Sequence, residues 1–259
     1  GSWVSCEEYA RGQCHQVDPK GVHEPQVTKL TKYRGNYESM AVDSRDPNNM
    51  QFFVTEDIER GAVRRFTPSY KDPSWDMIQV EGTVEYLQFL PDNKFRWSSS
   101  LSKGRDSAFL YYKNVEGIVC EDGILSFVSK KQKEIFHLDL DAGTYTKATT
   151  IHQALPGGGS FGAGPDQLML FSDVLYFTED GGRSPGIYAR DGSRLYALLE
   201  AYSGVYNTDE TTGFAFSPDG TKLYFCMQQI GYLFQLERVD GRPFDYSRRL
   251  LGLRFHREG

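Results

Sequence analysis

Cysteine is scarce and histidine pairing is missing. The chain of 259 residues carries four cysteines, Cys6, Cys14, Cys120 and Cys226, too few for a disulfide scaffold and not at zinc-ribbon spacing. Cys120 and Cys226 fall in apolar stretches, where a buried thiol is the ordinary reading. The five histidines, His15, His23, His137, His152 and His256, include no His-x-x-x-His pair, which favours packed or surface side chains over metal ligands. No apolar run approaches the roughly 18 residues of a membrane helix, and no signal peptide is visible, so a soluble chain is expected. Positive charge is short as well. Lys and Arg total 29 against 35 Asp and Glu, a net charge of −6, which argues against a nucleic-acid surface because phosphate neutralisation needs surplus cations. Cations are the better-matched small partner. The run Gly157-Gly158-Gly159-Ser160 lacks the Lys-Ser/Thr ending of a phosphate-cradling loop, and Ser160 lacks the strand-turn-helix setting of a nucleophile elbow. Helical periodicity beyond two turns is confined to residues 195–202.

What is abundant is aromatic residues, at 14%, and glycine, at 26 residues, a composition that suits many short strands separated by turns. The clearest unit spans residues 209–241. It runs from Asp209-Glu210 through Phe214-Ala215-Phe216, turns at Ser217-Pro218-Asp219-Gly220, and continues as strands over 223–227 and 232–237. The same order of acid, apolar strand, turn, apolar strand, polar pair and third strand recurs from Glu38, from Glu116 and from Asp166. A hairpin near Ala10 and a second hairpin around Pro91-Asp92-Asn93 read as degenerate copies, the latter followed by a polar loop over 98–106 and a strand over 108–112. Periods near 40 residues indicate an all-β propeller of about six blades, one of them incomplete, formed by three- to four-stranded antiparallel blades. At this length a single domain over residues 1–259 is expected. In the first hairpin Cys6 and Cys14 would face each other, a geometry that permits a bridge in an oxidising compartment.

The first strand of a propeller blade lines the central channel. That gathers the acids that open these strands, Glu38, Glu116, Asp166 and Glu210, with those that close the next ones, Glu7-Glu8, Glu56-Asp57 and Glu179-Asp180. Converging carboxylates repel unless cations neutralise them, and hard oxygen ligands suit Ca²⁺, Fe³⁺ or Mg²⁺. Cys6 beside Glu7 would add one soft ligand. The alternative is that these acids are solvated turn and rim residues.

Gly1-Ser2-Trp3-Val4-Ser5-Cys6-Glu7-Glu8 resembles the Gly-Thr-Trp-x-Thr-Cys-Glu-Glu segment of the PhoX-type alkaline phosphatases. The Glu38 strand with its closing Thr55-Glu56-Asp57, and Thr212-Gly213-Phe214-Ala215-Phe216-Ser217-Pro218-Asp219-Gly220, resemble later segments of that family in order. The resemblance implies a six-bladed propeller that holds iron and calcium and hydrolyses phosphate monoesters outside the cytoplasm. It makes Cys6 and Glu7 iron-site ligands, with Glu8, Glu38, Glu56, Asp57, Asp166, Glu179 and Glu210 as further ligands of iron and calcium. Two departures stand against simple transfer. Gly164 takes the place of the family's phosphate-holding Arg before Pro165-Asp166, and Gln228-Gln229-Ile230-Gly231 replaces its Gln-His-Pro-Gly. An upstream blade with further phosphate contacts is expected to be absent, and Arg11, Arg60 or Arg183 would have to substitute. The second function class is therefore a non-catalytic calcium-binding propeller that uses its faces to bind a protein partner.

Overall fold

The computed structural model describes residues 2–151, 161, 163–181, 185–192, 194–201 and 209–244. The chain divides into two compact units, Gly1–Ala148 and Thr149–Gly259. The first contains β1 (Trp3–Cys6), β2 (Glu8–Gly12), β3 (Cys14–Val17), β4 (Gln26–Val27), β5 (Gly35–Asp43), β6 (Gln51–Glu56), β7 (Arg64–Pro68), β8 (Gly82–Leu90), β9 (Lys94–Ser98), helix α1 (Leu101–Tyr111), β10 (Val115–Glu121), β11 (Ile124–Ser129), β12 (Glu134–Asp139) and β13 (Thr144–Thr149). The second contains β14 (Gly164–Phe171), β15 (Val174–Asp180), β16 (Gly186–Asp191), β17 (Arg194–Glu200), β18 (Thr211–Phe216), β19 (Lys222–Met227) and β20 (Tyr232–Glu237).

The strands pair as up-and-down antiparallel modules, which is the blade pattern expected of an all-β propeller. In the first unit β1, β3 and β4 form one sheet, and a ten-stranded sheet runs β10-β11-β12-β13-β9-β8-β7-β6-β5-β2. Within it β5 to β8 and β10 to β13 are four-stranded meanders, and a single pair, Thr144 with Lys94, joins β13 to β9. The hairpin around 91–93 thus continues the β5 to β8 module. In the second unit β14 to β17 form a four-stranded meander and β18 to β20 a three-stranded one.

Period-two alternation and aromatic content explain the cores. Phe53, Leu87, Phe89, Phe127 and Phe136 are buried together in the first unit, where the Phe127 and Phe136 rings stack with centroids 5.1 Å apart. In the second unit Ile187, Leu223, Phe225 and Met227 form a buried cluster. Among the described residues no helix is long and apolar enough to cross a membrane.

Two secondary-structure expectations are corrected. Residues expected as a polar loop and a strand form α1 instead. Ser100 caps it by accepting a hydrogen bond from the Lys103 amide at 3.4 Å, and Gly104, Ser107 and Ala108 make its buried face. A Cβ at Gly104 would stand 2.5 Å from the Tyr86 Cβ, so glycine is what lets the helix lie this close to β8. Conversely, the residues after 194 with helical periodicity are strand β17, paired along β16 from Asp191↔Arg194 to Gly186↔Glu200. Leu195 and Ala197 are buried on one face, and the extended ladder overrides local preference. The strands β13 and β17 complete two meanders beyond the three strands of the sequence repeat. The Gly157-Gly158-Gly159-Ser160 run, Arg183, His152, His256 and most of the basic tail lie outside the described residues.

Candidate metal centre

One backbone irregularity recurs at the start of four modules. In β5 the register shifts between Tyr37↔Glu56 and Met40↔Val54. In β10 it shifts between Val115↔Ser129 and Ile118↔Phe127, in β14 between Pro165↔Glu179 and Leu168↔Phe177, and in β18 between Thr212↔Cys226 and Ala215↔Tyr224. Each is a β-bulge with one extra residue on the first strand, a device that re-aims a side chain out of the pleat. The first residue of the bulge is Glu38, Glu116, Asp166 and Gly213 in turn. Glu210 precedes β18, and the bulge position of that module is held by Gly213 at φ +62. The residues facing the bulges follow the same register. Glu56-Asp57 and Glu179-Asp180 correspond to Ser129-Lys130 and Cys226-Met227.

That correspondence exposes a residue the sequence pattern hid. Lys130 stands where two other modules carry an aspartate, and its ammonium group lies 3.2 Å from an Asp57 oxygen and in contact with Glu116. Glu116 is buried and Glu38 half-buried, and a carboxylate oxygen of each lies within 4.8 Å of the other. Asn114 donates to Asp57 at 2.8 Å. The first unit therefore holds Asp57 and Glu116 against an internal cation, with Glu38 beside Glu116.

Other expected ligands of this unit face elsewhere. Glu56 turns into the core, where Arg64 donates to it at 2.8 Å, and the two side chains are 2% and 1% exposed. The Arg64 guanidinium is covered by the rings of Tyr37 and Tyr86 at 4.9 and 5.7 Å, so cation–π attraction supplements a single ion pair. Glu7 accepts from the Gln13 amide at 2.9 Å and lies 3.3 Å from His15. The amide, and then the imidazole, hold its carboxyl below the usual range. Glu8 is exposed on β2 and pairs with Asn36 of β5. Cys6 lies opposite Cys14 in the β1–β3 register, with the sulfurs 3.4 Å apart. Of the candidate arginines, Arg60 is exposed and ion-paired to Asp106, and Arg11 is an exposed residue of β2.

In the second unit Asp166 is buried beside Thr178, whose hydroxyl is 3.5 Å away. Glu179 is buried and accepts from the Ala163 amide at 2.9 Å. The Tyr188 hydroxyl lies 3.0 Å from Glu179 and 3.0 Å from Glu200. Burial first, and then those two charges, push the Tyr188 phenol far up. Thr211 clips the strands together, accepting from the Glu179 amide at 3.0 Å and donating to the Gly186 carbonyl at 2.7 Å. Asp209, adjacent to Glu210, is buried and accepts from the Gln229 amide at 2.8 Å, which ties the loop after β19 to the entry of β18.

Antiparallel meanders with a recurrent bulge at the inner strand define the class, an all-β propeller. Within that class the chain shares the fold of PhoX from Pseudomonas fluorescens, solved in complex with vanadate, a transition state analogue. The match has a TM-score of 0.67 at 15% identity and covers 89% of this chain and 58% of that one. The chain thus spans less than two thirds of the PhoX structure. A structure of a nidogen/laminin complex is matched at a TM-score of 0.40 and 11% identity, over 94% of this chain and 96% of that one. No protein-family model and no curated protein matches the sequence.

Proposed function

We propose that the chain is a metal-dependent phosphoesterase built on one propeller domain over residues 1–259, with calcium held by bulge carboxylates. The observation that carries this reading is the pairing of Glu38 with Glu116, each on a bulge, in a fold shared with PhoX. The fit to calcium follows from size. Two oxygens bound to one Ca²⁺ at 2.3–2.6 Å stand at most about 5.2 Å apart, and the Glu38 and Glu116 oxygens, within 4.8 Å, meet that limit. A bound cation would neutralise charge developing on a phosphoryl group and polarise its oxygens. Asn114 fixes the Asp57 carboxylate, and Asp166, Glu179 and Glu210 are the carboxylates that the second unit offers. A Cys6–Glu7 iron site, with Glu8 and Glu56 as neighbours, requires Cys6 to leave Cys14 and Glu7 to leave His15. The substrate is a phosphate monoester, and the compartment is extracytoplasmic.

One observation favours a second reading. Lys130 and Arg64 already neutralise Asp57, Glu116 and Glu56, as suits a non-catalytic propeller that binds calcium for rigidity and a protein partner for function. Purified protein loaded with calcium and iron, assayed on p-nitrophenyl phosphate alongside elemental analysis, separates the two. Hydrolysis that falls at least tenfold in Glu116→Gln supports the enzyme. Bound calcium without hydrolysis leaves the binding module, and absence of both metals overturns the metal centre itself.

A further inference from the structure

We propose that Cys6 and Cys14 are a reversible thiol pair that closes to a cross-strand disulfide and in doing so takes the Cys6 sulfur away from any metal. The pair is built by the sheet. Cys6 and Cys14 are direct partners in the antiparallel β1–β3 register. Facing residues in such a ladder have Cα atoms about 4.5–5.5 Å apart, inside the range of about 4.4–6.8 Å that a disulfide spans. The sulfurs are already 3.4 Å from each other, so closure to about 2.05 Å needs side-chain rotation without strand movement.

Access is asymmetric. Cys14 is 1% exposed and packs with Leu30, Tyr37 and Phe66, whereas Cys6 is half-buried at the margin of the same cluster. An external disulfide RSSR, such as oxidised glutathione, is attacked by the Cys6 sulfur, forming a mixed disulfide and releasing one RSH. The Cys14 sulfur then attacks the Cys6 sulfur and releases the second RSH. The balance is RSSR plus two protein thiols giving one protein disulfide and two RSH, with the two electrons passing to the external disulfide. A dithiol reductant reverses both steps. Cys120 is half-buried on β10, which lies in a different sheet from β1 and β3, and Cys226 is half-buried on β19 of the second unit.

The consequence for metal choice rests on the proposed metal centre. With the thiols free, Cys6 and Glu7 offer a mixed sulfur and oxygen donor set. With the bridge closed, only carboxylates remain, a set that suits Ca²⁺ and leaves iron one sulfur donor short.

The test equilibrates the purified chain with oxidised glutathione or with a phosphine reductant, traps free thiols with N-ethylmaleimide, and reads adducts by intact mass and peptide mapping. Four adducts in the reduced protein and two in the oxidised protein, with a peptide linking Cys6 to Cys14, are expected. Cys6→Ser gives three adducts under both conditions, and Cys14→Ser gives three when reduced and two, with glutathione held on Cys6, when oxidised, because the resolving thiol is gone. Four adducts under oxidising conditions, or a bridge that includes Cys120 or Cys226, overturn the pairing. Iron uptake measured on the same samples is expected to fall on oxidation of the wild type, to return on reduction, and to be the same under both conditions in Cys6→Ser. A bridge without metal uptake in either state refutes the metal centre and leaves the thiol pair standing. Metal uptake without a bridge does the reverse.

Discussion

Replacing Lys130 with methionine tests whether the acidic group in the first unit relies on an internal cation. The side chain keeps its length and loses its charge, leaving Asp57 and the buried Glu116 without the ammonium group between them. At 3.2 Å and an effective dielectric of about 20, each ion pair has a gross attraction of about 5 kcal/mol. Desolvation of the ions cancels much of it. Lys130 is 23% exposed, so water screens part of the remainder, and the net loss is about 2–4 kcal/mol, at the lower end of the cost of breaking a buried pair. For a chain of this size that lowers the melting temperature by roughly 4–10 °C. The same substitution frees oxygens of Asp57 and Glu116 for the proposed calcium ion. Calcium at about one hundred times its dissociation constant would return about 2.7 kcal/mol. Differential scanning fluorimetry of wild type and Lys130→Met, each with EDTA and with calcium, reads both effects. The variant is expected to melt lower in EDTA and to recover most of the deficit in calcium, with the wild type shifting less. Equal calcium shifts in the two proteins, or a variant as stable as wild type in EDTA, would refute the assignment of Lys130 as the resident counter-ion.

Arg64→Met strands a carboxylate that is 2% exposed and should cost about 3–5 kcal/mol. Adding Glu56→Gln should restore part of that in urea unfolding, and a single-variant loss under about 1 kcal/mol would contradict the buried pair. Burial raises the Tyr37 phenol to about 12 and also pushes up Tyr86 and Tyr112. Because the folded state keeps those protons after the unfolded chain has released them, their contribution is complete below about pH 10 and is lost as pH rises toward 12. Absorbance of tyrosinate should therefore lag behind that of free tyrosine and appear together with alkaline unfolding. Titration of every tyrosine near pH 10 in the folded protein would count against this packing. Gly104→Ala places a methyl group 2.5 Å from the Tyr86 Cβ and should cost about 1–3 kcal/mol by overpacking, whereas an unchanged midpoint in denaturant would mean that α1 sits farther from β8.

The strands were legible where turns bound them. Ser217-Pro218-Asp219-Gly220 and the Asp122-Gly123 turn mark β18–β19 and β10–β11 because positive-φ glycines, Gly220 at +66 and Gly123 at +80, close them. The acids at 38, 116 and 166 were legible because the bulge recurs with them. Other features were hidden for physical reasons. The helix α1 has a Gly and a Ser on its buried face, so it shows no apolar stripe. Periodicity alone made β17 look helical, since alternate Leu and Ala positions fit either period over seven residues. The part played by Lys130 could not be read by matching acid to acid, because a cation occupies an aspartate's place in the repeat. Nor could Arg64, at the start of β7, be told from a surface arginine before the two rings that enclose it were located.

The bulge carries one further implication, for how such a chain diversifies. Four modules keep the same one-residue register shift while its first residue is Glu, Glu, Asp or, at φ +62, Gly, so the shift does not depend on an acid at that place. A ligand can thus be gained or lost by a single codon change, while the sheet around it goes on folding as before. Under the proposed metal centre, ion affinity would then be set module by module at the bulge, while stability rests on the ladder around it.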